Sequence, residues 1–484
     1  MTCDGAIRCA SAVLSSSLDS ASRHAKGPHE QGPRITRPRP RHSATPSGGM
    51  SSAASRPRGA RAPPPSGYDR QVSTLIKQVR VFDGVDVLDA DCVLVQGDRI
   101  VKLGRDLSAP AGCVVVDGAG GMLLPGFIDA HVHTPDQGTR DEGISALRQA
   151  LQLGVTTMLC MGCRYPDFVA HLKALQQPDL ADLRSAGIAA SVEGSHPTQL
   201  FDYYPTLNGV EDVAPFVHTR VSEGSDYLKI VIEDSSVIGK STPFLPPEVS
   251  AAVTAKAHSH GLLVVAHAQS RRFVAQAIES GVDGLAHQYV DQPLTPEFAR
   301  FLKSAGVFVV MTLAVYHSHE GVELANDPRV RPHIDSRWMD ILCSSVGGQE
   351  QFQEYGLAAV RPLRDAGVPI LAGSDANNPG TTYGASLHHE LDLLVRGGLT
   401  RTEALTAATA APAKHFRLPD RGRIAPGLRA DLILVEGDPT VDIDATKSIA
   451  RVWRSGVAGR GAAPAAGGDV LIQRALDVGV SIPP

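Results

Sequence analysis

The chain has 484 residues, 43% hydrophobic and 20% charged, long enough to bury a large core and too long for one small domain. A net charge of −5 leaves no basic excess to neutralise phosphates, which excludes a general nucleic-acid binder. Seven cysteines, an odd count without regular spacing, make no disulfide framework and point to a reducing compartment, and no apolar run of about 18 residues is present to span a membrane.

Residues 1–67 stand apart. Ten basic residues face three acidic ones in a Ser-, Ala-, Pro- and Arg-rich stretch that includes Arg34, Arg37, Arg39 and Arg41. Such a segment cannot bury enough apolar surface to offset its ordering entropy, so a disordered arm is expected. Its acid-poor composition also suits an organellar transit peptide, but the plainer reading is an unstructured extension, or initiation at Met50. The expected location is the cytoplasm, or the mitochondrion if the arm is a transit peptide.

Beyond residue 70 the texture changes. Runs at 79–82, 91–95, 100–103 and 114–116 read as short strands between Asp-Gly and Gly-Asp turns. Similar runs return at 422–424, 431–435 and 450–454. Residues 73–121 and 421–460 are therefore expected to form one small β-sandwich domain built from both ends of the folded chain. Between them, over 122–420, apolar runs at 122–128, 155–161, 187–193, 227–232, 262–267, 282–287, 307–312 and 368–374 alternate with helical patterns such as 142–152, 247–258, 272–279 and 296–303. Near-continuous apolar runs suit strands buried on both faces of a parallel sheet. Eight such units over about 250 residues suggest an α/β protein, a (β/α)₈ TIM barrel. A doubly wound open sheet is the alternative, but no Gly-x-Gly-x-x-Gly follows the first strand. Residues 461–484 read as a C-terminal tail.

On a barrel, chemistry belongs at the C-terminal ends of the strands, and ionisable residues gather there. The first strand ends in Asp129-Ala130-His131-Val132-His133, the fifth at His267, the sixth at His287 and the eighth at Asp375. His131 and His133, two apart on a strand, face the same side and can chelate one ion. Four histidines and an aspartate at strand ends offer N and O ligands suited to Zn²⁺ or a similar divalent ion. Lys229 sits inside the apolar run Tyr227-Leu228-Lys229-Ile230-Val231-Ile232. A buried lysine is costly unless paired or neutral. It is read either as a lysine paired with Glu233 or Asp234, or as a carbamate formed with CO₂, whose two oxygens can bridge two cations.

These residues resemble the amidohydrolase superfamily, in its imidazolonepropionase-like and prolidase-like branch, which includes ochratoxin-cleaving amidohydrolases. The resemblance spans about 73–460. It rests on the first-strand motif Leu124-Pro125-Gly126-Phe127-Ile128-Asp129-Ala130-His131-Val132-His133, on 281–287, on Gly373-Ser374-Asp375-Ala376, on the late helix 403–409 and on the returning strand 422–432. The resemblance implies that His131, His133 and Asp375 bind the more buried metal and that His267 and His287 bind the other. Lys229, as N6-carboxylysine, would bridge both ions, expected to be two Zn²⁺, together with a hydroxide. The sequence departs from relatives at Ser374-Asp375-Ala376-Asn377-Asn378 and at 268–272, both on active-site loops, so substrate choice is not inherited from any one of them.

The expected enzyme is a metal-dependent amidohydrolase cleaving an amide C–N bond of a small molecule, such as an N-acyl amino acid, a dipeptide or an aromatic amide. Asp375 and Lys229 are the expected catalytic residues, with Asp375 passing the hydroxide's proton to the leaving nitrogen. The alternative is a cyclic-amide hydrolase or an amine deaminase of the same superfamily. Deaminases place a Glu soon after the fifth-strand His, and none occurs between Ala268 and Ala277. A non-catalytic scaffold would have lost ligands, yet all six positions are filled. Substrate contacts are expected from His196, Tyr316 and His317. The expected partner is a small-molecule amide, with no nucleic acid or membrane, and the expected assembly a homo-oligomer. Cys160 and Cys163 are read as packed thiols, His258, His260, His388 and His389 as surface or helix-end residues, and Thr400 with Glu403 as a capping box.

Overall fold

The computed structural model describes residues 72–135, 139–199, 204–347 and 350–459. The expectations for the arm 1–67 and the tail 461–484 fall outside the described residues. The strands are β1 Ser73–Lys77, β2 Arg80–Phe82, β3 Val87–Leu88, β4 Cys92–Gln96, β5 Arg99–Gly104, β6 Val114–Asp117, β7 Met122–Pro125, β8 Phe127–Val132 and β9 Val155–Cys160. They continue with β10 Asp182–Ser185, β11 Leu228–Val231, β12 Val264–His267, β13 Gly284–Leu285, β14 Phe308–Val310, β15 Ile370–Leu371, β16 Leu432–Val435, β17 Ile449–Arg454 and β18 Val457–Ala458.

The two ends of the described chain meet. One sheet runs β5-β4-β1-β6, and a second runs β18-β17-β16-β7-β2-β3. In the second, β16 lies antiparallel to β7, so Leu432 faces Pro125 and Val435 faces Met122. One apolar cluster draws Ile76, Val93 and Ile100 from the first sheet and Val81, Leu123, Leu432 and Trp453 from the second. The run 422–424 is not a strand. Gly422 takes φ +81°, and Ile424 N makes a single bond to Asp83 O at 2.9 Å.

The apolar run 122–128 divides at Gly126. Gly126 N donates to Asp431 O at 2.8 Å, whereas Phe127 N donates to Gly154 O at 3.0 Å. A Cβ on Gly126 would lie 2.3 Å from Thr156, so only glycine lets the chain pass from one sheet to the next. Hydrophobicity alone cannot mark that change of partner.

The middle of the chain is a barrel-like α/β domain. Strands β10-β9-β8 form one parallel sheet and β11-β12-β13-β14-β15 another. Parallel bridges join Ala190 to Ile230 and Val132 to Ala376. The third strand is displaced from its expected span. Pairing with β9 is made by 182–185, and Gly187 at φ +71° turns the chain before Ala190 touches Ile230. The sequence Asp-Leu-Arg-Ser looks polar because Asp182 is buried among Arg421, Arg429 and Arg454.

Inward and outward residues alternate along the strands. On β12, Val265 joins one core cluster and Val264 and Ala266 the other; on β14, Phe308 and Val310 join the first and Val309 the second. On β11, Leu228 and Ile230 pack outward with the helices, so Lys229 faces the opposite side. The helices are set locally. Helix Pro296–Ala305 starts at the Thr295 cap with Pro296 in its first turn and ends at Gly306, φ +75°. Helix Arg401–Ala407 carries the capping box of Thr400 and Glu403. Among the described residues, no helix is long and apolar enough to cross a membrane. His388 and His389 are not surface residues. They lie 2% and 7% exposed, because the helix Ala385–Gly397 is buried along most of its circumference. His388 bonds Thr446 Oγ1 and Leu153 O, each at 3.0 Å.

Candidate active site

His131 and His133, from the C-terminal end of β8, meet Asp375, which follows β15. Three contacts close a triangle: His131 Nε2 to His133 Nε2 at 3.4 Å, and each of these nitrogens to Asp375 Oδ1 at 3.3 Å. His131 Nδ1 lies 3.0 Å from Ala286 O and His133 Nδ1 lies 3.3 Å from Gly162 O. A carbonyl only accepts, so both Nδ1 atoms carry the hydrogen and both Nε2 lone pairs point into the triangle. Asp375 Oδ1 is buried without a hydrogen-bond partner. Three lone pairs at this spacing repel one another unless a cation sits among them. Ligands about 2.1 Å from a tetrahedral zinc are themselves about 3.4 Å apart. The residues therefore fit a divalent metal.

The electrostatics agree. Burial pushes the His131 and His287 imidazoles well below their ordinary range, which keeps them neutral, the form that ligates a metal. His287 joins the same group: ligand atoms of His131, His287 and Asp375 all lie within 4.8 Å of one another. Its ring centroid is 4.7 Å from that of His131 and 4.6 Å from that of His267.

An outer layer fixes these ligands. Asp129 Oδ2 accepts from Ser374 Oγ at 2.6 Å, and Asp129 Oδ1 accepts from Ser374 N at 2.9 Å and His131 N at 3.2 Å. Burial pushes the Asp129 carboxyl up to about 7. Thr312 Oγ1 lies 2.7 Å from His287 Nδ1. Thr312 holds φ 52°, rare for a β-branched residue, and the next turn is anchored by Ala314 N donating to Glu390 Oε2 at 2.8 Å. Asp375 also takes a left-handed φ, 53°. Such conformations persist where surrounding structure enforces them, which happens most at functional sites.

Lys229 is 3% exposed, and burial pushes its amine down to about 8. Neither expected carboxylate pairs with it. Glu233 Oε2 lies 3.1 Å from His267 Nε2, and Asp234 lies 3.9 Å from Arg272. Among the described residues no carboxylate comes within 4 Å of the Lys229 amine. His196 sits at the rim, its side chain 42% exposed, with its ring stacked on that of His267 at 5.8 Å and 8°. Tyr316 is buried, its hydroxyl 3.5 Å from Gln269 Nε2. Burial pushes its phenol up, and the Asp375 and Glu233 carboxylates add to that push. His317 is turned to Glu320, Nδ1 to Oε1 at 2.9 Å.

A profile of the amidohydrolase family matches residues 122–459. The chain belongs to the amidohydrolase family. This amidohydrolase is 25% identical over 422 residues to an imidazolonepropionase of Streptomyces griseus, covering 75% of this chain and 91% of that one. Among solved structures, a Xaa-Pro dipeptidase with methionine bound in its active site is similar at TM-score 0.65 and 22% identity, over 80% of this chain and all of that one. Ochratoxinase from A. niger is similar at TM-score 0.64 and 20% identity, over 81% and 97%. These two likenesses bear on the fold. The protein is a hydrolase acting on C–N bonds, its family generally uses divalent metals, and its His131–His287–Asp375 group can hold one.

Sequence reasoning pointed to the strand-end candidates and missed their supports. Asp129 was visible only as part of a motif, and Glu390 and Thr312 carried no signal in spacing. Glu233 entered only as a partner for Lys229, because nothing in the sequence says that its carboxylate turns to His267. Arg271 and Arg272 lie away from the triangle, over the rings of Phe298 and of Phe244 and Phe273. Cys160 and Cys163 are buried.

Proposed function

We propose that this amidohydrolase cleaves the amide bond of a small molecule, such as an N-acyl amino acid, a dipeptide or an aromatic amide, at a binuclear zinc site. The observation that carries the reading is the triangle of lone pairs from His131, His133 and Asp375, with edges of 3.3–3.4 Å. His267 and His287 would hold the second ion, with Lys229, carboxylated by CO₂, between the two. Paired divalent cations lower the pKa of water held between them and polarise a carbonyl oxygen. Asp375, with Oδ1 turned to the first ion, would take the proton of the attacking water on its other carboxylate oxygen and hand it to the leaving nitrogen. His196 at the rim and the buried Tyr316 and His317 would hold the substrate's carboxylate or carbonyl oxygen. The products are a carboxylate and an amine. The accompanying fold is a closed (β/α)₈ barrel over 122–420 with a β-sandwich from 73–121 and 421–460. The accompanying setting is a homo-oligomer in the cytoplasm, with no nucleic-acid or membrane partner.

A second reading, cyclic-amide hydrolysis, draws support from the imidazolonepropionase likeness over most of the chain. A hydrolysis screen separates the two. Zinc-reconstituted protein with bicarbonate is offered N-acyl amino acids and dipeptides beside lactams and aminopurines. Cleavage of open-chain amides supports the first reading, and ring opening of lactams the second. Ammonia release without amide cleavage refutes both. Lys229→Ala is expected to abolish turnover; full activity with full metal content in that variant refutes the binuclear scheme.

A further inference from the structure

Glu233 is the one carboxylate at this centre that the scheme above leaves without work. It follows β11 directly and is 4% exposed. Its Oε2 approaches His267 Nε2 to 3.1 Å, yet the two atoms are out of line for a hydrogen bond, and each is buried with no hydrogen-bond partner. A carboxylate that merely orients an imidazole receives its N–H head-on. Here the two atoms stand 3.1 Å apart, off the hydrogen-bond line, and both are buried. Leaving both unmet is costly, the more so because one is charged. A cation common to both removes that cost.

The geometry points to Glu233 as a ligand of the second cation, beside His267. This rests on the binuclear reading above. With bonds near 2.1 Å, an N···O edge of 3.1 Å subtends about 95° at the metal, close to the right angle of a five- or six-coordinate ion. The edges of 3.3–3.4 Å in the His131–His133–Asp375 triangle are those of a tetrahedron. The two sites therefore differ in the angle their donors subtend and not in donor type, since each offers two imidazole nitrogens and one carboxylate oxygen. The remaining oxygen, Oε1, lies 3.8 Å from His196 Nδ1, so the carboxylate also faces the ring at the rim. Glu233 thus ties the second cation to the side chain expected to meet substrate.

The test is metal binding by the full chain, read by chelator competition with Zn²⁺ and by the visible spectrum of the Co²⁺-loaded protein. Wild type is expected to bind two equivalents. Glu233→Gln and Glu233→Ala are expected to keep the first and weaken the second by at least about 100-fold, beyond the 10–100-fold typical of outer-shell changes, with a changed cobalt spectrum. Retention of the first ion reports that the variants are folded. If Glu233→Gln holds both ions with wild-type affinity and an unchanged spectrum, the assignment of Glu233 is overturned and the binuclear reading stands. If wild type holds a single equivalent, both are overturned.

Discussion

Gly373→Ala tests whether the close approach of two chain segments sets the spacing of the proposed metal ligands. A Cβ at 373 would lie 2.7 Å from His131 Cβ, 2.9 Å from His131 N and 2.6 Å from Val310 Cγ1. Val310 can rotate away, but the two His131 atoms belong to a backbone tied across the gap by Ala130 N to Ala372 O at 3.0 Å and Asp375 N to His131 O at 2.8 Å. Carbon–carbon contacts settle near 3.5–4.0 Å, so the segments must part by about 0.8 Å or more. Asp375 Oδ1 would then stand about 4.1 Å from the two Nε2 atoms, almost twice a zinc–ligand bond, too far to close a cage. Overpacking of this kind costs about 1–3 kcal/mol, and displaced ligands should lower zinc affinity about 10–100-fold. The assay is chelator competition, with a melt of the metal-free protein alongside. Gly104→Ala, whose Cβ would meet Leu107 at an ordinary 3.6 Å, is the control. Zinc affinity for Gly373→Ala within about twofold of wild type would refute the argument, since that tolerance is far inside the effect expected of displaced support.

Two further variants test the framework. Asp182→Ala removes the carboxylate shared by Arg421, Arg429 and Arg454, all nearly buried, and is expected to cost about 3–5 kcal/mol in denaturant unfolding, because uncompensated buried charge remains. Although burial opposes it, Arg421, Arg454, Arg429 and Arg184 hold Asp182 well below the usual carboxylate range. Its contribution is thus complete above the unfolded value of 3.8 and lost only as the pH falls further; a stability loss already at pH 6 would contradict this. His388→Gln addresses the acid limb. Burial pushes His388 down to about 4, so between that value and about 6.5 the unfolded chain binds the extra proton and stability falls with pH, by up to about 3 kcal/mol. The glutamine variant should show a shallower fall over that window, and an unchanged slope would remove His388 as its source.

Periodicity and composition were enough to read the alternation of strands and helices, because buried parallel strands must be apolar on both faces and helix ends must be capped. Residue chemistry at strand ends was enough to name His131, His133, His267, His287 and Asp375, since few other side chains suit a divalent ion. What the sequence could not hold was partnership between distant residues. The break at Gly126 depends on Asp431 and Thr156, and the third strand depends on arginines more than 230 residues away. Asp182 reads as polar and exposed until those guanidinium groups surround it. Glu233 reads as the natural mate of Lys229, four residues back, until β11 points the lysine inward and the turn after it carries the carboxylate to His267. Local sequence sets which groups are available and what their backbone can do; only the packed structure decides which lone pairs end up facing one another, because that choice is made by contacts between segments far apart in the chain.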